Sequence, residues 1–144
     1  MITRVDHVAL SVADLERSLS FYRDLLGFSV ERIIESTPEK RLGDVVALPG
    51  CSARIAHLRR GDTMFELFEY LEPRGRPIRA DETQADHGFI HACFRSTDTR
   101  ADYARLKSRG VEFLGEPVEY RPGVWIVYFR GPDREVCELR QIQD

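Results

Sequence analysis

An α+β fold of two tandem β-α-β-β-β units is predicted by three observations on this 144-residue sequence. A phrase of histidine, strand, aspartate and helix occurs twice, as Val5-Asp6-His7-Val8-Ala9-Leu10-Ser11 leading to Asp14 and as Ile90-His91-Ala92-Cys93-Phe94-Arg95 leading to Asp98. In each half a helix and a strand follow, and then a hairpin. The hairpins also correspond: Arg60-Gly61-Asp62 precedes Phe65-Glu66-Leu67, and Arg130-Gly131-Pro132-Asp133 precedes Cys137-Glu138-Leu139. Such a repeat means that each half is one supersecondary unit whose apolar face needs cover. Two curved four-stranded units are expected to enclose a cleft.

Taken in order, residues 4–12 alternate as a strand. Asp14 is a good N-cap, and Glu16 adds negative charge to the first turn. Leu15, Leu19, Tyr22 and Leu26 keep helical spacing, and Gly27 suits the stop. Phe28 to Ile34 returns to strand composition. Glu35 to Arg41, with Pro38, is a loop, and Leu42 to Leu48 is a short helix ended by Pro49-Gly50. Ser52–Leu58 and Thr63–Tyr70 form a hairpin across a turn at 59–62. The stretch from Glu72 to Asp86 holds Pro73, Gly75 and Pro77 and reads as the linker, so the modules are 3–71 and 87–142 within one domain.

The second module begins with a strand from Phe89 to Arg95. Asp98 caps a helix that runs to Arg109, with Tyr103 and Leu106 inward and Gly110 as the stop. Val111–Val118, Val124–Phe129 and Glu135–Gln141 are the remaining strands.

Composition narrows the function classes. The net charge is −3 and the charges are interspersed, so no basic face for nucleic acid is evident. No apolar run approaches the length that spans a bilayer. Cys51, Cys93 and Cys137 form no CxxC pair, which reads as a reduced, cytoplasmic protein. The start, Met1-Ile2-Thr3-Arg4, lacks a signal-peptide pattern.

Four residues stand at equivalent places in the halves: His7 and His91 on the first strands, Glu66 and Glu138 on the last. Each one alone has an ordinary explanation, as a hydrogen-bonded or solvent-facing group. Their symmetric recurrence is harder to explain that way. Glutamates inside apolar runs such as Met64-Phe65-Glu66-Leu67-Phe68 need a cation when buried. Two imidazoles and two carboxylates suit one borderline divalent ion (Zn, Ni, Co, Mn or Fe), with positions left for water or substrate. His57, Phe68, Tyr70, Cys93 and Trp125 are candidate pocket residues. For each, an ordinary strand or core position is the alternative. Arg95 and Arg140 are candidates for meeting an anionic substrate, against a plain surface role.

The sequence resembles the vicinal oxygen chelate superfamily, which includes glyoxalase I, methylmalonyl-CoA epimerase, extradiol dioxygenases and bleomycin-binding proteins. The resemblance rests on Asp6-His7-Val8-Ala9-Leu10, on Ser20-Phe21-Tyr22 followed by Leu26-Gly27-Phe28, and on Phe65-Glu66-Leu67, His91-Ala92, Gly131-Pro132-Asp133 and Glu138-Leu139. It implies paired β-α-β-β-β modules around a metal cleft, with ligands at His7, Glu66, His91 and Glu138. It also implies a small-molecule substrate and, by analogy, a homodimer. The implied chemistry is a lyase or isomerase that removes a proton α to a carbonyl, with Glu66 or Glu138 as base and Glu138 preferred as the fixed ligand.

Departures from the family patterns bear on the alternatives. Glutathione-dependent glyoxalases carry arginine where Ser11 stands and asparagine where Tyr70 stands. Many methylmalonyl-CoA epimerase relatives have glutamine at the place of Glu66. An Fe(II) extradiol dioxygenase would use His7, His91 and Glu138, and Glu66 would crowd its open side. A drug-binding resistance protein typically lacks the metal residues.

Overall fold

In the computed structural model, which describes residues 1–143, the chain forms two compact units, Met1–Pro77 and the residues from Ile78 onward. Each carries one four-stranded mixed sheet.

The first unit contains β1 (His7–Ser11), α1 (Leu15–Leu19), β2 (Ser29–Ser36), α2 (Leu42–Val45), β3 (Ser52–Arg60) and β4 (Thr63–Glu72). The sheet order is β1-β4-β3-β2, and β1 runs parallel to β4. β1 is shorter than residues 4–12 because its partner begins at the hairpin turn: His7 is already opposite Met64. Asp14 caps α1 through the Arg17 amide. The helix then widens into a π-turn over Ser20–Leu25, with Leu26 donating to the Phe21 carbonyl at 3.0 Å. Gly27, at φ +79°, ends it in the left-handed conformation that only glycine adopts freely. Tyr22, Leu15 and Leu19 are fully buried against Phe65, Leu67, Ala56 and Leu58. Each side chain of this size contributes about 1.5–3 kcal/mol by leaving water. The helix therefore covers one face of the sheet and leaves the other for chemistry.

The second unit repeats the plan with β5 (Ala92–Arg95), α3 (Thr99–Ser108), β6 (Val118–Arg121), β7 (Val124–Arg130) and β8 (Val136–Ile142), in the order β5-β8-β7-β6. Asp98 accepts from the Arg100 and Ala101 amides, and Gln141 reaches the Thr99 amide at 3.0 Å, so the helix start is tied to the last strand. Leu106 packs fully buried, as do Phe129 and Cys137 of the sheet.

Two strand expectations are corrected. Residues 111–117 are not a regular strand: Leu114 donates to Tyr128 and Arg130 to Glu112, but only Phe113–Phe129 forms a bridge. Pro117 lacks the amide that a continued ladder needs, and the regular strand starts just after it, at Val118. β5 begins at Ala92, not Phe89. The Ile90 carbonyl is taken by the Gln84 side chain at 2.9 Å, and Phe89 is fully exposed. His91 thus stands one residue ahead of its strand. The short helix α2 also ends at Val45 rather than Leu48.

Among the described residues, no helix is long and apolar enough to cross a membrane.

Candidate metal centre

Register decides which side chains share a sheet face. In the first unit Ala9 pairs with Glu66, Glu66 with His57, and His57 with Arg32. Cross-strand partners project to the same side and every second residue rejoins it. The face away from α1 therefore carries His7, Glu66, Phe68, Tyr70, His57 and Arg32. Glu66 is buried, with its two oxygens divided between two imidazoles. His7 Nε2 lies 3.4 Å from Oε2, and His57 Nε2 lies 3.3 Å from Oε1.

The other ring nitrogen of each histidine is also held. His7 Nδ1 lies 3.2 Å from the Asp6 carboxylate. Arg32 Nε donates to His57 Nδ1 at 3.2 Å. An arginine N–H can only donate, so His57 Nδ1 accepts and carries no proton. His57 is therefore the neutral Nε2–H tautomer, with the protonated nitrogen 3.3 Å from Glu66 Oε1. Phe68 and Tyr70 stack further along β4, with ring centroids 5.8 Å apart.

The second unit reproduces this arrangement with different residue types. Cys93 pairs with Glu138, and Glu138 with Tyr128. Glu138 is buried, and His91 Nε2 lies 3.0 Å from its Oε2. His91 Nδ1 lies 3.1 Å from the Gln84 side-chain oxygen, and the ring meets Tyr128 edge-on with centroids at 5.1 Å. Tyr128 donates its phenol proton to Glu138; burial first, and then that carboxylate, hold the phenol above its ordinary pKa. Cys93 also donates to Glu138, and burial with the same neighbour pushes its thiol up to about 11. Tyr128 occupies the register position that His57 occupies in the first unit.

Of the candidates from sequence, His7, Glu66, His57, Phe68 and Tyr70 share one face in the first unit, and His91, Cys93 and Glu138 share one in the second. Trp125 does not join them. It pairs with Gln141, at odd spacing from Glu138, and so lies on the helix side, where Arg100 sits 4.5 Å over its ring.

Reading from sequence overlooked Gln84, Arg32 and Tyr128. Tyr128 was recoverable by extending the repeat one strand further, because Tyr128 stands to Glu138 as His57 stands to Glu66. Beside Tyr128 the second unit has a cavity of about 440 Å³, lined largely by Leu114, Val118, Tyr120 and Ile126.

The donor chemistry fits a divalent ion. Each unit offers an imidazole Nε2 beside a buried carboxylate, with Nδ1 restrained by an oxygen acceptor, the arrangement that orients histidine ligands. Among the described residues, no group of three or more His, Cys, Asp or Glu side chains is drawn together as a complete site. The donors stand as a partial set in each unit.

The family model described as the Glyoxalase/Bleomycin resistance protein/Dioxygenase superfamily matches residues 4–139. The ethylmalonyl-CoA/methylmalonyl-CoA epimerase of Cereibacter sphaeroides is 30% identical over 99% of this chain and 100% of its own. The 2-epi-5-epi-valiolone epimerase of an Actinomyces species is 34% identical over 89% of this chain and 73% of its own. Human mitochondrial methylmalonyl-CoA epimerase is 29% identical over 81% of this chain, which spans only 59% of that protein.

Among solved structures, a glyoxalase family protein from Bacillus cereus shares the fold with a TM-score of 0.89, at 23% identity over 99% of this chain and 97% of its own. A fosfomycin resistance protein from Listeria monocytogenes, solved with Mn(II) and sulfate, shares it at 0.65 and 16% identity over 99% of this chain and 95% of its own. The family model spans nearly all of the sequence, and both units carry the β-α-β-β-β plan; the chain belongs to the glyoxalase/bleomycin resistance protein/dioxygenase superfamily.

Proposed function

We propose that this chain is a divalent-metal-dependent isomerase that epimerises a carbon α to a carbonyl in a small oxygenated substrate. The observation that carries the reading is the matched pair of half-sites, His7 with Glu66 and His91 with Glu138, each a buried carboxylate beside a restrained imidazole. Epimerase relatives at about this level of identity favour isomerisation over the lyase and dioxygenase alternatives.

His7, Glu66, His91 and Glu138 would hold the ion. When bound, the ion supplies Lewis-acid polarisation of the carbonyl and charge stabilisation of its oxygen. Glu66 takes the proton from the α carbon, and the bonding pair moves onto the carbonyl oxygen as the enolate forms. His57 Nε2 stands beside Oε1, so Oε2 is the oxygen that would hold the ion and, released from it, accept the proton. Glu138, held by Tyr128 and Cys93, remains the fixed ligand. A water molecule delivers a proton to the opposite face of the carbon, and the resulting hydroxide takes the proton held by Glu66, which completes the inversion. The cavity beside Tyr128 takes apolar parts of the substrate. By analogy with the family, the working form is a homodimer, which sedimentation of the purified chain tests.

The experiment is incubation with methylmalonyl-CoA in deuterated water, with Co(II) or Mn(II) added. Deuterium should enter at the α carbon only with metal present, and Glu66→Gln should abolish entry. Full exchange in both Glu66→Gln and Glu138→Gln would overturn the reading. Failure of this one substrate, with exchange at the α carbon of other 2-substituted acyl compounds, would correct the substrate alone.

A further inference from the structure

The break in the strand ladder before β6 creates a hollow beside Tyr128. Leu114 donates to the Tyr128 carbonyl at 2.9 Å, and Val118 is in register opposite Ile126. Four residues of chain thus run where two run on β7, and Pro117 has no amide for the ladder, so the chain bows away. Further along, Glu119 pairs with Trp125 and Arg121 with Val124, which makes Tyr120 the extra residue of a bulge. A bulge re-aims the side chain it carries, and Tyr120 lines the same cavity of about 440 Å³ as Leu114, Val118, Ile126 and Tyr128. Ile126 and Tyr128 alternate with Trp125 along β7, so the cavity lies on the Glu138 face, away from α3. Leu114, Val118 and Tyr120 are all exposed around it. A concave apolar site of this size is the form that a small-molecule pocket takes.

We infer that this cavity receives an uncharged hydrocarbon group of about phenyl size, carried on the α carbon of the substrate. This rests on the proposed reading of Glu138 as part of the reacting centre and deepens it by naming the group. Tyr128 joins the two places: it lines the cavity, and its hydroxyl donates to Glu138. Size sets the scale of the group. A methyl group is about as large as a water molecule, roughly 30 Å³, and would leave most of the cavity empty, whereas an apolar cavity of roughly 150 Å³ already accepts benzene. The lining excludes charge. Among the described residues, Glu116 is the one charged group in the lining; it is exposed, and its charge reaches Lys107 of α3. Arg140 stands opposite Ile126 in register but does not line the cavity. An anion would meet apolar side chains and a carboxylate, and a cation would give up water for one solvated carboxylate. A neutral hydrocarbon avoids both costs and covers the exposed apolar groups. Gly115 sets the upper limit of size: a side chain there has open space around its first carbon, so a larger residue fills the cavity without straining the loop.

The test titrates the purified chain with benzyl alcohol, benzylammonium and benzoate, which share a ring and differ in charge, and follows the methyl resonances of Val118 and Ile126. Benzyl alcohol should bind saturably without added metal, and more tightly than either charged ring. Gly115→Leu should weaken it by about tenfold or more, since a single methylene in an apolar pocket already acts on that scale. Tyr120→Ala should weaken it by about two- to tenfold, the size of one lost aromatic contact. Circular dichroism melting shows that each variant is folded, and Tyr120→Ala, at an exposed position, serves if Gly115→Leu is not. Exchange at the α carbon is then compared for 2-benzylmalonyl-CoA and methylmalonyl-CoA, which differ only in the group on that carbon, with Mn(II) added. The ratio of kcat/KM should favour the benzyl compound by about tenfold or more, and Gly115→Leu should cancel the preference. A defect of folding or of metal binding lowers both rates and leaves their ratio. No saturable binding of benzyl alcohol, tighter binding of a charged ring, equal affinity in both variants, or no preference for the benzyl compound would overturn the inference. Binding that both variants weaken, with exchange of neither compound, would retain the pocket and reject the proposed reaction. Exchange of methylmalonyl-CoA alone would do the reverse.

Discussion

Arg32 donates its Nε–H to His57 Nδ1 at 3.2 Å and thereby determines which nitrogen of His57 faces Glu66 with a proton. The relationship spans two neighbouring strands and orients one oxygen of a carboxylate two strands from Arg32. His57 is a positioning residue in this arrangement. Nitrogen-correlated NMR spectra of the imidazole should show an unprotonated Nδ1 and a protonated Nε2, and Arg32→Ala should mix the tautomers. His57→Gln retains a donor and an acceptor and should keep most of the turnover. His57→Leu should lower kcat by about 10–100-fold with little change in KM. An Nδ1–H tautomer in the native protein would contradict the assignment.

Gln84 holds His91 as Asp6 holds His7. Gln84→Ala should leave the fold intact but weaken divalent-ion affinity by about 10–100-fold, the usual effect of removing a partner that orients a histidine ligand. Gln84→Glu should retain the contact and the affinity. Calorimetric titration of metal into the variants measures both.

Cys93 should be a slow thiol. Its pKa is raised by burial, and then by the Glu138 carboxylate, to about 11. The neutral form therefore dominates until the pH approaches that value. At pH 8 the metal-free protein should react with iodoacetamide on the order of a hundredfold more slowly at Cys93 than an ordinary cysteine does, because the thiolate fraction falls tenfold per pH unit below the pKa. The rate should climb with pH through the range from 8 to 10. Mass spectrometry of timed samples checks this, and alkylation at the rate of a free cysteine would contradict it.

The helix-side core of the second unit is tested by Leu106→Ala. Leu106 is fully buried between α3 and its sheet. The substitution should cost about 2–5 kcal/mol in denaturant unfolding, as lost burial plus a cavity. Asp98→Ala, which removes the cap, should cost about 1 kcal/mol.

Much of this architecture was legible because it depends on local chemistry that recurs. Asp14 and Asp98 cap helices, Gly27 ends one, and the repeated His and Glu positions mark corresponding strands. What was not legible depends on partners distant in sequence. The strand expected over 111–118 has an apolar pattern, but Pro117 interrupts the ladder and only a bridge at Phe113 forms. The π-turn at Ser20–Leu25 keeps the apolar positions expected of an ordinary helix, so spacing does not reveal it. Gln84 lies in a stretch read as linker, and its contact with His91 depends on the path of the loop. Trp125 was misplaced although parity could have excluded it, since it stands an odd number of residues from Tyr128, which faces Glu138.

The proposed metal centre draws on His7, Glu66, His91 and Glu138. Titration of the metal-free protein with Co(II), followed by visible absorption and calorimetry, tests it most directly. One ion per chain is expected, with large and comparable losses of affinity in His7→Ala and His91→Ala. Two independent ions per chain, or binding that survives loss of either histidine, would contradict it.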